Sequence, residues 1–314
     1  LIYLLQGREI MKIVFMGTPM FAVPSLKALN EKYDVVMVVS QPNRVKKKGV
    51  FVDTCVAKCA KELNLNLFQP ENIKDEIDKF LSIEADCLVT AAYGQYIPTK
   101  ILNHFKKCIN VHGSILPYHR GGAPIQRAIM EGDSETGVTI MEMAKKLDAG
   151  KIYAIEKCPI TLDDNATSIF DKLSIIGRNL LLNTIEDIVS GKNAGVVQDE
   201  AKATYSPNIS AGEEIINLNK NSLDIIHQIQ GLAYDPGAYL LVNDVKLKVF
   251  KAQAIDYDGC EVPGTVLVTK KKIVIKTKDS AIELLEVLYP GKKIMSGNAF
   301  SNGQKIFNVG DVLI

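Results

Sequence analysis

The sequence predicts an α/β protein built from a doubly wound, mainly parallel sheet followed by a smaller β-rich region. Up to about residue 190, short apolar runs alternate with stretches of helical periodicity, which is the pattern of a parallel sheet. Beyond about residue 210, short β-rich runs follow one another with turn residues between them. A chain of 314 residues, 47% of them hydrophobic, is long enough for one large and one small domain.

The first part is predicted to be a Rossmann-like domain. Thr18 is expected to cap the first helix, with Pro19 in its first turn. A long helix is predicted over 166–189. The predicted strands are 12–16, 35–40, 86–92, 108–112, 138–143 and 151–158.

The second part is predicted to be a small β-barrel. A stretch rich in Gly, Asn, Ser and Pro over 191–210 has the composition of a surface linker, and a helix is predicted over 222–233. Five short strands in succession favour a barrel. These strands are predicted at 238–242, 245–252, 264–268, 273–277 and 282–287.

Composition limits the function classes. The formal net charge of +1 gives no overall sign of nucleic-acid binding, so that function would depend on local clusters of charge. The six cysteines form no Cys-x-x-Cys pair and are expected to be reduced, and we expect no metal site. The sequence holds no apolar run of about 18 residues, so we expect a cytoplasmic protein.

The first βα turn, Met16-Gly-Thr-Pro19, lacks the Gly-x-Gly-x-x-Gly spacing that brings a backbone close to a pyrophosphate. A dinucleotide cofactor is therefore not expected. Ligands of open parallel sheets still gather beyond the carboxyl ends of the strands. Gly17, Ala92-Tyr-Gly94 and His112-Gly-Ser114 all follow predicted strands, so we expect them at one crevice.

The most informative stretch is Asn110-Val-His112-Gly-Ser114-Ile-Leu-Pro117. Asn110 and His112 are two residues apart on a predicted strand and would point the same way. An amide donor beside a protonatable ring can stabilise the negative oxygen of a tetrahedral intermediate. The alternative is that a polar pair at a strand end serves only in capping or in the turn. Ser114 has no Gly-x-Ser-x-Gly elbow, which argues against a serine hydrolase.

Further motifs carry a resemblance. The Asn110–Pro117 run closely resembles methionyl-tRNA formyltransferases, within the wider folate-dependent formyltransferases. The resemblance covers nearly the whole chain from Met11, and the family begins there, so residues 1–10 are predicted to be an N-terminal extension. The other matching runs are Met11-Lys-Ile-Val-Phe-Met-Gly-Thr-Pro19, Gln41-Pro-Asn-Arg44, Arg120-Gly-Gly-Ala-Pro-Ile-Gln126, Glu135-Thr-Gly-Val-Thr-Ile140 and Leu147-Asp-Ala-Gly150.

The resemblance implies a reaction and a set of catalytic residues. The amino group of methionine on initiator tRNA would take the formyl group of 10-formyltetrahydrofolate through a tetrahedral adduct, with no metal and no covalent enzyme intermediate. Asn110 and His112 would stabilise the oxyanion, and His112 would help to move the proton. Asp148 would orient the imidazole and favour its charged form.

The resemblance also implies the domains and two kinds of binding residue. A catalytic domain would span 11–190 and an OB-like, tRNA-binding domain 211–314, joined by the 191–210 linker; we expect a monomer. Basic clusters at two places would contact tRNA phosphates, although solvated loops and protected sheet edges are alternatives. The folate-binding residues would be Ala91, Tyr93, Gly94, Ser114, Ile115, Leu116 and Pro117, and the tRNA-binding residues Arg44, Lys46, Lys47, Lys48, Lys270, Lys271 and Lys272.

The 41–49 loop departs from the family pattern, because Asn43 replaces the common Asp and a lysine run replaces a glycine-punctuated arginine segment. Two other functions stay open. One is formyl transfer to glycinamide ribonucleotide or to an amino sugar nucleotide by a related enzyme. The other is a non-catalytic nucleic-acid-binding protein, against which the intact Asn110, His112 and Asp148 set argues.

Overall fold

The computed structural model describes residues 10–46, 50–303 and 306–313, without the side chains of 44–46 and 50. The predicted N-terminal extension, 1–10, lies outside the described residues except for Ile10. The chain divides into two compact units. The first combines the residues up to Gly122 with Thr136–Cys158 and Phe170–Tyr205, and the second combines Ala123–Glu135, Pro159–Ile169 and Ser206–Ile314.

The elements up to the end of the long helix are nine strands and six α-helices among the described residues. They are β1 Lys12–Gly17, α1 Val23–Lys32, β2 Asp34–Val39, β3 Arg44–Lys46, β4 Val50–Val52, α2 Cys55–Glu62, β5 Leu67–Phe68, α3 Ile77–Leu81, β6 Cys87–Ala91, α4 Thr99–His104, β7 Lys107–His112, α5 Pro124–Met130, β8 Glu135–Glu142, β9 Ile152–Pro159 and α6 Ala166–Ser190.

The main sheet has seven strands in the order β5-β2-β1-β6-β7-β8-β9. Neighbouring strands from β5 to β7 are parallel, and β8 runs antiparallel to β7. The central strand β1 is buried on both faces, with Ile13, Val14, Phe15 and Met16 fully inaccessible to solvent. Helices that cover both faces of a parallel sheet produce this continuous apolar run. The predicted doubly wound, mainly parallel sheet is confirmed.

Thr18 does not cap the first helix, which corrects the prediction from the sequence. A short 3-10 turn over Met20–Ala22 precedes α1, and no side chain caps either element. The Thr18 hydroxyl instead donates to the carbonyl oxygen of Tyr93, at 2.8 Å. The residue therefore joins the ends of two parallel strands, because a hydroxyl beside a strand end can satisfy a carbonyl on a neighbouring loop.

The second unit contains the remaining elements, which include six strands in the described part of the chain. They are α7 Ser222–Leu232, β10 Ala238–Val242, β11 Val245–Ile255, β12 Val266–Val268, β13 Ile273–Lys276, β14 Ala281–Leu288, β15 Met295–Ser296 and α8 Gly297–Gly303. The strands form an antiparallel sheet in the order β10-β11-β14-β13-β12, with β15 paired to β14. Strand β11 contains register shifts near Lys251, where the strand can bend. The sheet is a curled half-barrel, in agreement with the predicted OB-like domain.

The apolar face of this sheet packs with α7 into one core, which includes Ile225, Ile229, Leu247, Val249 and Leu284. The helix contributes residues four apart, and the strand residues are two apart, so each element buries one face. This core gives the second unit its own source of hydrophobic stabilisation.

Candidate active site

The candidate site is built at the carboxyl ends of β6 and β7. These strands are parallel neighbours, with Thr90 opposite Asn110 and Ala91 opposite Val111. Parallel strands end at the same edge of a sheet, so the loops that leave β6 and β7 begin side by side. The polar side chains of these strand ends consequently share one edge.

Asn110 has an oriented side-chain amide. The Thr90 hydroxyl donates to Asn110 Oδ1 at 2.7 Å. An oxygen that accepts this bond leaves the Nδ2 group as the donor available to a ligand. The sequence analysis did not identify Thr90, because a threonine inside a strand carries no signal that distinguishes this role from ordinary β propensity.

His112 is buried, with 5% of its surface exposed, and each of its ring nitrogens faces an oxygen atom. Nε2 lies 3.0 Å from the carbonyl oxygen of His119, and Nδ1 lies 3.8 Å from Asp148 Oδ2. A carbonyl oxygen only accepts hydrogen bonds, so Nε2 carries the proton of the neutral ring. Nδ1 is therefore the nitrogen that can accept a proton, and it faces a carboxylate.

Asp148 lies in a turn whose backbone brings it to His112. Its φ of +47° is in the left-handed region, which aspartate adopts more readily than most residues. The Gly121 N–H donates to Asp148 Oδ2 at 2.8 Å. The carboxylate oxygen nearest to the imidazole thus has a backbone partner of its own, which fixes its direction.

Gly150 ends this turn beside the main sheet. A Cβ at this position would overlap the backbone carbonyl of Glu142, which belongs to β8. Only glycine permits this close approach of two backbones. The position of Asp148 relative to the sheet consequently depends on the missing side chain of Gly150.

The last residue of β6 and the loop that follows it include three of the residues predicted to bind folate. Ala91 and Tyr93 are buried, whereas Gly94 is exposed and has a φ of +86°. The Tyr93 carbonyl accepts hydrogen bonds from Thr18 Oγ1 at 2.8 Å and Gln41 Nε2 at 3.0 Å. The loop is therefore held by two other strand ends, and Gly94 is its accessible residue among these three.

The turn that follows β7 contains the other four residues predicted to bind folate. Ser114 is fully buried and its hydroxyl donates to the carbonyl oxygen of Tyr118 at 2.7 Å. The Leu116 N–H donates to Thr139 Oγ1 at 3.1 Å. Ile115 and Pro117 are half-buried. The side chain of Ser114 and the N–H of Leu116 thus hold the turn together, and they have partners within the protein.

The two predicted tRNA-binding clusters lie in different parts of the chain. Arg44 and Lys46 belong to strand β3 of the antiparallel β3–β4 hairpin, and their side chains lie outside the description. Lys47 and Lys48 lie outside the described residues. Lys270, Lys271 and Lys272 are exposed in the turn between β12 and β13.

Cys108 lies on β7 with Asn110 and His112, but its thiol is not activated as a nucleophile. Burial raises the pKa of its thiol to about 12, and the charge of Glu142 adds to this effect. A thiol that stays protonated at neutral pH is a poor nucleophile.

The described residues contain no cluster of His, Cys, Asp and Glu with the geometry of a metal site. In the same residues no helix has the length and apolar character needed to span a bilayer.

A second set of residues behind the site was not predicted from the sequence. Gln198 is buried and donates through Nε2 to the carbonyl oxygens of Asp148 and Gly150, at 2.9 and 2.7 Å. Hydrogen bonds from Arg120 and Lys146 hold the pKa of Glu200 down to about 2. Gln198 and Glu200 fall within the predicted 191–210 linker, where composition gave no sign of contacts to residues so far away in the chain.

Comparison with known proteins identifies the family. Residues 11–185 match the model of the formyl transferase family, and residues 208–305 match the model of the formyl transferase C-terminal domain. The chain belongs to the formyl transferase family. The predicted resemblance is thereby confirmed.

The similar curated proteins match the chain over nearly its full length. Methionyl-tRNA formyltransferase of Lactobacillus johnsonii is 44% identical over 309 residues, which cover 96% of this chain and 98% of the relative. The enzyme of the same name from Listeria innocua is 43% identical, with coverage of 93% and 95%.

The similar solved structures support the fold. HypX from Aquifex aeolicus, solved in complex with tetrahydrofolic acid, aligns with a TM-score of 0.64 at 17% identity and covers 98% of this chain and 51% of its own. The sugar 3N-formyl transferase WlaRD aligns with a TM-score of 0.68 at 20% identity and covers 91% of this chain and 100% of its own. These two structures thus share the fold of this chain.

We expect Gly150→Ala to destabilise the protein by about 3 kcal/mol, since the new methyl group would force the Asp148 turn away from β8. Denaturant unfolding measures the difference. Gly212→Ala is the matched control: a Cβ there meets no atom within 4 Å, and the change should stay within about 0.5 kcal/mol. Equal stability of wild type and Gly150→Ala would contradict the proposed close approach.

Proposed function

We propose that this protein transfers the formyl group of 10-formyltetrahydrofolate to the amino group of methionine on initiator methionyl-tRNA. The observation that carries the proposal is the buried His112, whose Nε2 is committed to the His119 carbonyl while Nδ1 faces Asp148. Full-length relatives named methionyl-tRNA formyltransferase at 43–44% identity support the choice of acceptor.

The proposed reaction is a direct attack. The amine nitrogen of methionine forms a bond to the formyl carbon, and the carbonyl electrons move to oxygen. The Nδ2 group of Asn110 donates to this oxyanion, which is worth about 3 kcal/mol for a well-placed donor. The bond between the formyl carbon and folate N10 then breaks as the oxygen re-forms its carbonyl.

Proton transfer falls to His112. Its Nδ1 removes a proton from the attacking amine and delivers a proton to the departing folate nitrogen. While the proton is on the ring, the positive imidazolium lies 3.8 Å from the Asp148 carboxylate, which stabilises it. No enzyme nucleophile is needed, and the protonated thiol of Cys108 agrees with this route.

Folate is proposed to bind at the ends of β6 and β7. The exposed Gly94 would present backbone groups to the flat pterin, beside the half-buried Ile115 and Pro117. Ala91, Tyr93, Ser114 and Leu116 would support this surface from beneath, since they are buried. We place the reaction in the cytoplasm, where charged initiator tRNA and reduced folates meet.

Formyl transfer to charged initiator methionyl-tRNA tests the function. The wild-type protein should use this acceptor in preference to glycinamide ribonucleotide and to amino sugar nucleotides. His112→Ala and Asp148→Asn should each lower the single-turnover rate by about 100-fold or more, because proton transfer or its electrostatic support is lost. Preferential formylation of a small amine would show that the acceptor is wrong, and unchanged rates in both variants would remove the pair from the mechanism.

Thr90→Val tests how Asn110 is presented. Valine has nearly the same shape but cannot hold Asn110 Oδ1, so the amide can turn and offer oxygen to the oxyanion. We expect kcat to fall about tenfold with little change in KM. Thr90→Ser keeps the hydroxyl and should restore most of the rate. If the valine variant folds and matches the wild type, the proposed orientation of Asn110 is incorrect.

The basic 44–48 segment is proposed to bind tRNA phosphates, together with Lys270–Lys272. Replacing Lys47 and Lys48 by alanine should weaken tRNA binding and reduce the log–log salt slope by about 0.7 to 0.9 per lysine. Lys27 and Lys100 are exposed lysines on α1 and α4, and their double alanine variant is the charge-matched control. Equal salt slopes for the two double variants would argue against a specific role of this segment.

A further inference from the structure

Arg120 is the largest fully buried side chain among the described residues. A guanidinium removed from water is strongly destabilising unless its N–H groups are paired. Its Nε and Nη2 donate to Gln198 Oε1, at 3.1 and 2.8 Å. Nη1 and Nη2 donate to the two carboxylate oxygens of Glu200, at 3.2 and 2.8 Å. We call these three residues the Arg120 network.

The first connection of this network leads to the Asp148 turn. Gln198 accepts from Arg120 through its oxygen and donates through both hydrogens of its Nε2 to the Asp148 and Gly150 carbonyls. An amide in this arrangement has only one orientation, because arginine cannot accept and a carbonyl cannot donate. Gln198 thus ties the Arg120 side chain to the backbone on both sides of Ala149.

The second connection leads to His112 through the backbone next to Arg120. The His119 carbonyl accepts from His112 Nε2, and the Gly121 N–H donates to Asp148 Oδ2. The two neighbours of Arg120 therefore contact the two members of the His112–Asp148 pair. Thr204 holds the same turn, since its hydroxyl accepts from the His119 N–H at 2.8 Å and its carbonyl from the Arg120 N–H at 2.9 Å.

The two turns that meet here are both conformationally demanding. His119 and Asp148 have φ values of +58° and +47°. Backbone conformations of this kind persist where the surroundings over-determine them. The Arg120 network supplies that constraint from a position that touches neither ring nitrogen nor the carboxylate of Asp148.

We propose that Arg120, together with Gln198 and Glu200, is a positioning device for formyl transfer that sets the geometry of the His112–Asp148 pair. The proposal rests on the catalytic role given to that pair under the proposed function. Arg120 acts through His119 and Gly121, and its effect on the reaction is indirect.

Gln198→Glu tests the first connection most sharply. The carboxylate of this variant keeps an oxygen for Arg120 but replaces the donor to the Asp148 and Gly150 carbonyls with a second oxygen, so the turn is released. We expect kcat to fall about tenfold to a hundredfold, with the KM values for folate and methionyl-tRNA within about twofold. Arg120→Lys should give the same pattern, because an ammonium cannot span Gln198 and Glu200.

Variants of Glu200 should fold normally, since half of its side chain is exposed, and they test the network a second way. Glu200→Ala should lower kcat about tenfold, and Glu200→Gln, which can still accept from Arg120, should restore most of it. Lys146→Ala is the matched control, because Lys146 pairs with Glu200 from the exposed side. That variant removes an ion pair of Glu200 but leaves Arg120 paired, and kcat should stay within about twofold.

A readout independent of activity separates this proposal from the proposed function. In protein labelled with ¹⁵N-histidine, the wild-type His112 ring should appear as the Nε2–H tautomer, and Gln198→Glu and Glu200→Ala should produce a mixed or exchanging signal. An unchanged tautomer in folded Gln198→Glu and Glu200→Ala variants, with wild-type kcat, overturns the proposal. An equal loss of kcat in Lys146→Ala overturns it too. A changed tautomer in a protein that does not formylate methionyl-tRNA would instead contradict only the proposed function.

Discussion

The hydrogen bond between His112 Nε2 and the His119 carbonyl is the interaction on which the site depends. It determines which ring nitrogen holds the proton of the neutral imidazole and therefore which nitrogen can accept another proton. Because the ring is buried, water cannot easily replace this partner. Asp148 completes the arrangement from the opposite side of the ring, and its own direction is set by the Gly121 N–H. The orientation of the ring thus follows from backbone groups whose positions the fold determines.

Those backbone positions depend on the sheet. The parallel pairing of β6 with β7 places Thr90 opposite Asn110, so the orientation of the amide is a consequence of strand register. A shift by one residue would turn Asn110 and His112 to the other face. The antiparallel strand β8 adds the Glu142 carbonyl, against which Gly150 packs without a side chain. The strand register thus orients Asn110, and the close approach at Gly150 positions the Asp148 turn that faces His112.

Local sequence patterns predicted much of the fold. The elements and residues that these patterns missed were missed for physical reasons. The runs predicted at 238–242 and 108–112 became β10 and β7 within a residue, since apolar periodicity reports burial on a strand. The β3–β4 hairpin and β15 were missed, because strands of two or three residues leave too short a pattern. Asn110 and His112 were predicted from their spacing at a strand end and from the family resemblance, and Asp148 from the resemblance alone, whereas Thr90 and Gln198 carry no motif. Their partners are 20 to 78 residues away, and only the folded chain reveals such pairings.

The residues behind the site depend on one another for their hydrogen bonds. Each polar atom of the Gln198 amide has a partner, so replacing Gln198 leaves Arg120 or a backbone carbonyl without one in a buried place. Replacing Arg120 leaves Gln198 in the same condition. A single substitution of Gln198 or of Arg120 should therefore destabilise the folded protein, because it leaves the other residue without a hydrogen-bond partner. A buried polar network of this kind joins distant segments by mutual dependence, and the geometry of the His112–Asp148 pair is maintained as a result.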